Sequence, residues 1–186
     1  MFPPHPTELL HLLLGGEISA GDFVIDATAG NGHDTCFLAK CVGAEGKVLA
    51  IDIQPQAIAS TRARLESEGL SERVTLHLGS HVDIAEACGG ECPHLIAFNL
   101  GYLPGGDRAI VTRTEETLAA IGSAADLLRP GGMLAVVCYT GHDGAGDEAE
   151  AVVGFFTSLE GHRVGRYGMI ATPSASPFLL ISRKIR

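Results

Sequence analysis

The sequence predicts an α/β fold: a doubly wound, seven-stranded, mostly parallel sheet with an antiparallel last strand. Three observations carry this. Short runs rich in Val, Ile and Leu alternate with stretches of helical apolar spacing. The runs are apolar on both faces, as strands are when helices cover both sides of a parallel sheet. The chain then closes on two strand-like runs with no helix between them, which requires an antiparallel pair at one edge.

Each element follows in order. "DFVIDAT" (22–28) is the first strand and runs into the glycine turn "AGNGHD", with a helix at about 33–42. "KVLAIDI" (47–53) is the second strand. Pro55 suits the first turn of the next helix, which Gly69 ends. "RVTLHLGS" (73–80) and "HLIAFNLG" (94–101) are the third and fourth strands. Thr112 to Leu128 repeats apolar residues at helical spacing until "RPGG" stops it. "GMLAVVCYT" (132–140) is the fifth strand, and Gly146 to Leu159 a further helix. "HRVGRYGMI" and "FLLISRKI" are the final pair, joined by a Ser/Pro-rich loop. A single domain over residues 1–186 accommodates them all, at a length that buries a sizeable core.

Bulk composition narrows the class. Hydrophobic residues at 46% with 19% charged residues describe a soluble globule rather than a disordered chain. No apolar run reaches bilayer-spanning length. The start, "MFPPHPTELLHLLLGG", has no positive segment ahead of its apolar stretch, so a signal peptide is not expected and a cytoplasmic location is. A net charge of −9 argues against a nucleic-acid coating protein but leaves room for an enzyme that grips RNA through a local basic patch. The basic residues gather near the C-terminus, at Arg163, Arg166 and "SRKIR".

The five cysteines are expected as reduced thiols. Cys88 and Cys92 in "CGGEC" invite a metal reading, with His94 nearby. The second cysteine pair that a closed four-ligand zinc site would want is missing, so no metal is expected.

In a doubly wound sheet, ligands bind beyond the C-terminal ends of the strands, where the strand order reverses. The first tip reads Asp26, Ala27, Thr28, Ala29, Gly30, Asn31, Gly32, and its two glycines let backbone approach a ligand without a Cβ in the way. A dinucleotide fingerprint would want a third glycine where Thr35 stands, which disfavours a nicotinamide oxidoreductase. The second tip offers Asp52, followed by Ile53 and Gln54. An acid there can accept both ribose hydroxyls of an adenosine, or simply cap the helix that follows. The third tip offers Ser80 and His81, where an adenine edge could be read or a turn closed.

Acids at two consecutive strand tips with a glycine turn between them resemble the class I S-adenosylmethionine-dependent methyltransferases, a Rossmann-like group. The resemblance covers nearly the whole chain and implies S-adenosyl-L-methionine as cofactor, with the glycine loop against its methionine part and Asp52 on its ribose.

The fourth tip, "FNLGYLPGGD", is then the reacting end. Methyl transfer is an in-line displacement, so the protein must mainly orient the nucleophile. The side-chain carbonyl of Asn99 can accept an N–H of an amine and free its lone pair, and Tyr102 can stack on a flat base. Alternatively, Asn99 closes a turn and Tyr102 is half-buried. The stretch is similar to the Asn/Asp-Pro-Pro-Tyr signature of amino methyltransferases, with Leu100 and Gly101 in place of the prolines.

Four blocks, "DATAGNGHDT", "NLGYLPGGD", "TRTEETLAAI" and "YTGHDGAGDE", resemble in sequence and order the family once labelled rRNA methylases and now assigned as tRNA 5-aminomethyl-2-thiouridine methyltransferases. The resemblance implies methylation of the aminomethyl nitrogen of the wobble uridine, with the tRNA anticodon arm as partner. Methylation of rRNA or of a small-molecule amine is the alternative. The chain departs from the family in "TPSASPFLL", where only Pro177 and Phe178 match comfortably.

A primary ammonium must lose a proton before it attacks, and His142 or Asp107 could take it. His142 could equally be a loop residue bonded to Asp143, and Asp107 could only hold the loop. Leu103, Pro104 and Tyr139 are candidate substrate contacts. Arg108 and Arg113 could meet anticodon phosphates or stay solvated at the surface. A homodimer would widen the grip on an anticodon arm, although no residue pattern requires one.

Overall fold

The computed structural model describes residues 6–101, 113–140, 145–169 and 176–185, with the side chains of Pro6 and Thr7 left aside. Seven strands form one sheet: β1 (Phe23–Asp26), β2 (Lys47–Asp52), β3 (Val74–Leu78), β4 (Leu95–Asn99), β5 (Met133–Cys138), β6 (His162–Gly168) and β7 (Phe178–Lys184). Their order is β3-β2-β1-β4-β5-β7-β6. β7 runs antiparallel to both of its neighbours, from Cys138↔Phe178 to Met133↔Arg183 on one side and from Gly168↔Phe178 to His162↔Lys184 on the other. The antiparallel pair is therefore at one edge, as the sequence implies. The last strand itself is inserted inside that edge, and β6 is outermost.

Among the described residues, α1 (Pro6–Gly15) precedes the sheet, and α2 (His33–Cys41), α3 (Pro55–Glu68), α4 (Ile84–Ala87), α5 (Thr114–Leu127) and α6 (Ala145–Ser158) connect its strands. No helix among the described residues is long and apolar enough to cross a membrane. The inner strands β1, β2, β4 and β5 are apolar on both faces because each face meets its own helical layer, whereas β3 and β6 at the two edges are largely open. Ile25, Ile51, Ile96, Phe98 and Val136 pack with Ile84, Ile121 and Phe156 on the α4–α5–α6 side. Val24, Val48, Leu95, Ala97 and Val137 pack with Leu10, Leu14, Leu38 and Leu65 on the α1–α2–α3 side.

β3 and β4 are shorter at both ends than the sequence suggests, α4 is an addition to it, and β1 and α1 differ from it in ways that bear on the site. β1 ends at Asp26 rather than 28: the Ala27 amide still donates to Ala97 (2.8 Å), after which the chain turns into the glycine loop. α1 was not expected as a helix. Its buried Leu10 and Leu14 lie on one face and cover β5 and β7.

At the far end of the sheet, the N-terminal ends of the strands are tied by polar groups. Arg129 donates to Asp22 (2.8 Å) and to Nδ1 of His94 (3.1 Å), and Nε2 of His94 donates to the Glu17 carbonyl (2.9 Å). Cys88 is buried and Cys92 exposed, both as free thiols.

Candidate functional site

Strand order reverses between β1 and β4, so the crevice opens where Asp26 and Asn99 end their strands. The tips are tied across it. Thr28 Oγ1 accepts the Asn99 backbone amide at 2.7 Å, fixing the end of β4 against the glycine loop.

Asp26 is 1% exposed, and both its oxygens serve the loop: one accepts the Thr28 amide (3.2 Å), the other the Thr35 hydroxyl (2.5 Å). Burial, reinforced by the neighbouring Asp34 charge, pushes its pKa up to about 7. The loop itself is clamped from three sides. Gly30 N–H donates to Asp52 (2.9 Å), its carbonyl accepts the Thr61 hydroxyl (3.1 Å), and the Asn31 carbonyl accepts Arg64 Nε (2.8 Å). Gly32, at φ +79°, sits against α3 so closely that a Cβ would lie 2.9 Å from Thr61 Cα. Here glycine is required twice over, by conformation and by space.

Asp52 is half-buried. One oxygen accepts Gly30 N–H and the other Gln54 N–H (2.9 Å), so it does close the turn into α3. Each oxygen retains a further lone pair for an outside donor. Ile53 beside it is 58% exposed, an apolar side chain left open at a strand tip, while Gln54 is buried. Ser80 accepts the Val82 amide and so caps a 3-10 turn, His81–Asp83. His81 meets Phe98 edge-on, with centroids 5.9 Å apart. Burial lowers its pKa, favouring neutral imidazole, and its Nε2 is buried with no partner among the described residues.

The decisive side chain is Asn99. Its Nδ2 donates to Asp34 Oδ2 at 3.1 Å, while its Oδ1 is buried with no hydrogen-bond partner among the described residues. Buried acceptors are nearly always satisfied, so this unpartnered one at the switch point makes Asn99 a candidate ligand contact. Tyr139, half-buried, leaves the neighbouring strand tip on the α1 side of the sheet. Arg113 is 80% exposed at the side chain and pairs with Glu116 at 3.7 Å. Tyr102, Leu103, Pro104, Asp107, Arg108 and His142 lie outside the described residues.

Two residues of the site carried no sequence signal. Asp34 is indistinguishable by pattern from any acid in a first helical turn, a position favoured by the helix dipole. His11 reaches the site from α1 and binds Asp34 Oδ1 at 2.6 Å.

The fold recurs in known proteins. A solved structure from Clostridium thermocellum, described as a "putative rRNA-methylase", is 37% identical, covers 100% of both chains and superposes with a TM-score of 0.95. A "putative methyltransferase" from Streptococcus mutans, solved in complex with SAH, is 34% identical over 98% of this chain and 99% of its own, with a TM-score of 0.89. The chloroplastic tRNA (mnm(5)s(2)U34)-methyltransferase of Arabidopsis thaliana is 40% identical over 162 residues, which is 82% of this chain. The chain spans 59% of that relative's length. The family model described as "Putative rRNA methylase" matches residues 48–183, most of the chain, and the chain belongs to that family.

Proposed function

We propose that the chain is an S-adenosyl-L-methionine-dependent tRNA methyltransferase acting on the aminomethyl nitrogen of wobble 5-aminomethyl-2-thiouridine. The observation that carries this is the buried Oδ1 of Asn99 at the strand tip, without a hydrogen-bond partner among the described residues while its amide nitrogen is bonded to Asp34. The Arabidopsis relative's name supports the tRNA substrate, and SAH in the Streptococcus mutans relative supports the cofactor.

The residues present fit the cofactor. Gly30 offers backbone without a side chain, with Gly32 letting the loop pack closely on Thr61, Asp52 offers free lone pairs to a ribose diol, and exposed Ile53 offers an apolar face to an adenine. When bound, the cofactor supplies an electrophilic methyl group on a sulfonium. Asn99 accepts an N–H of the substrate amine, which turns the nitrogen lone pair toward that carbon. A nitrogen–carbon bond forms as the sulfur–carbon bond breaks, and the nitrogen releases one proton to a base. An amide that accepts N–H bonds suits an amine, which keeps a further hydrogen after one is engaged.

The test is nucleoside mass spectrometry of tRNA carrying 5-aminomethyl-2-thiouridine after incubation with the protein and S-adenosylmethionine. Conversion to 5-methylaminomethyl-2-thiouridine is expected. Absence of that product with S-adenosylhomocysteine binding intact overturns the substrate, and a product on rRNA or on a free amine instead replaces it.

A further inference from the structure

The N-terminal helix reaches the reacting end through one side chain. Leu10 and Leu14, 2% and 1% exposed, anchor α1 in the layer that also covers Val137 and Leu179. His11 is thereby turned onto α2. Its ring stacks on Phe37, with centroids 4.0 Å apart and planes within 7°. From there its Nε2 meets Asp34 Oδ1 at 2.6 Å, and Asp34 Oδ2 accepts Nδ2–H of Asn99 at 3.1 Å. A carboxylate only accepts, so the histidine nitrogen is the donor, and both bonds converge on Asp34, which leaves it the Nδ2 side of the Asn99 amide to accept from.

That arrangement decides what Asn99 presents. An amide can rotate by half a turn and exchange its oxygen and nitrogen at little steric cost. With the Asp34 carboxylate in place, the exchanged form would set carbonyl oxygen against carboxylate oxygen, so Oδ1 is kept on the side away from Asp34. Asp34 is itself on the first turn of α2, where backbone amides and solvent would compete for its carboxylate. The stacked ring of His11 removes that freedom. Bonds in series also polarise one another, so an Nδ2–H given to a carboxylate makes Oδ1 a stronger acceptor.

We propose that His11 is a positioning residue for the methyl-transfer reaction: through Asp34 it locks the Asn99 amide with its oxygen toward the acceptor amine. This rests on the methyltransferase reading above. It also gives α1 a part in turnover that its remoteness in sequence from the strand tips conceals.

The experiment compares wild type, His11→Ala, His11→Gln, Asn99→Ala and the His11→Ala/Asn99→Ala double variant. It measures kcat and KM on aminomethyl-thiouridine tRNA, with S-adenosylhomocysteine affinity by calorimetry. His11→Ala is expected to lower kcat about 10- to 100-fold, as loss of an orienting outer residue does, while cofactor affinity stays within about threefold. His11→Gln, which keeps an N–H for Asp34, recovers most of the loss. The double variant is no slower than Asn99→Ala alone, because the two act as one unit. Phe37→Leu removes the stack and leaves the bonding groups; it is expected to lower kcat several-fold, and it stands in where His11→Ala does not fold. Unchanged kcat in His11→Ala or Phe37→Leu, cofactor affinity falling in step with kcat, or multiplicative losses in the double variant overturns the role. Wild type without any methylation overturns the underlying function instead.

Discussion

Thr35 donates its hydroxyl to the buried carboxylate of Asp26 at 2.5 Å, joining the end of β1 to the first turn of α2. This bond and the Thr28 amide are what the carboxylate receives in exchange for its hydration, and burial still holds its pKa near 7 against an ordinary 3.8. The folded chain thus keeps this proton to about pH 7, whereas the unfolded chain releases it near pH 4. Between those values the folded state binds more protons, so stability is highest below the window and falls as pH rises through it. Urea unfolding at pH 5 and pH 8 is expected to show this loss, and Asp26→Asn to reduce it. Thr35→Val strips one acceptor of its partner and is expected to cost about 1–3 kcal/mol.

Gly32→Ala tests the clamp on the loop. A Cβ there meets Thr61 Cα at 2.9 Å, and φ +79° is unfavourable for alanine. The substitution is expected to destabilise the protein by about 2 kcal/mol or more. It also moves the loop, so S-adenosylhomocysteine affinity falls in calorimetry.

Asp52 has two tasks that separate by substitution. Asp52→Ala removes the acceptor for Gly30 N–H and Gln54 N–H as well as the ribose acceptor. Cofactor affinity is expected to fall at least about tenfold, equivalent to roughly 1.4 kcal/mol. A melting temperature that drops while affinity is unchanged would leave Asp52 as a turn cap alone.

Asn99→Ala separates chemistry from binding. The backbone bond from Asn99 N–H to Thr28 Oγ1 survives, so the strand tip stays in place. Turnover is expected to fall about 100-fold with cofactor affinity nearly unchanged. Equal loss of both in steady-state kinetics and calorimetry would assign Asn99 to structure.

The sequence carried the fold well because its signals are local. Strands such as "KVLAIDI" and helix ends at Pro55 and Gly69 are set by neighbours in the chain, and α3 spans Pro55–Glu68 as read. The strand-tip acids were legible for the same reason, since each closes a strand. What stayed hidden is non-local. His11 and Asp34 are 23 positions apart and meet only because Leu10 and Leu14 seat α1 on the sheet. The placement of β7 inside the edge is a pairing choice that apolar runs do not encode. α4, at four residues, is too short to show a period.

That strand has a consequence for how the chain is made. β7 is synthesised after β6 yet lies between it and β5. Without residues 178–184 in place, β5 has one bare edge and β6 has no neighbour in the sheet. Leu179 and Leu180, both buried in the finished sheet, fill that gap. Until they do, the nascent protein exposes the kind of unpaired edge that other chains can join, so the final strand acts as the zip that closes the sheet.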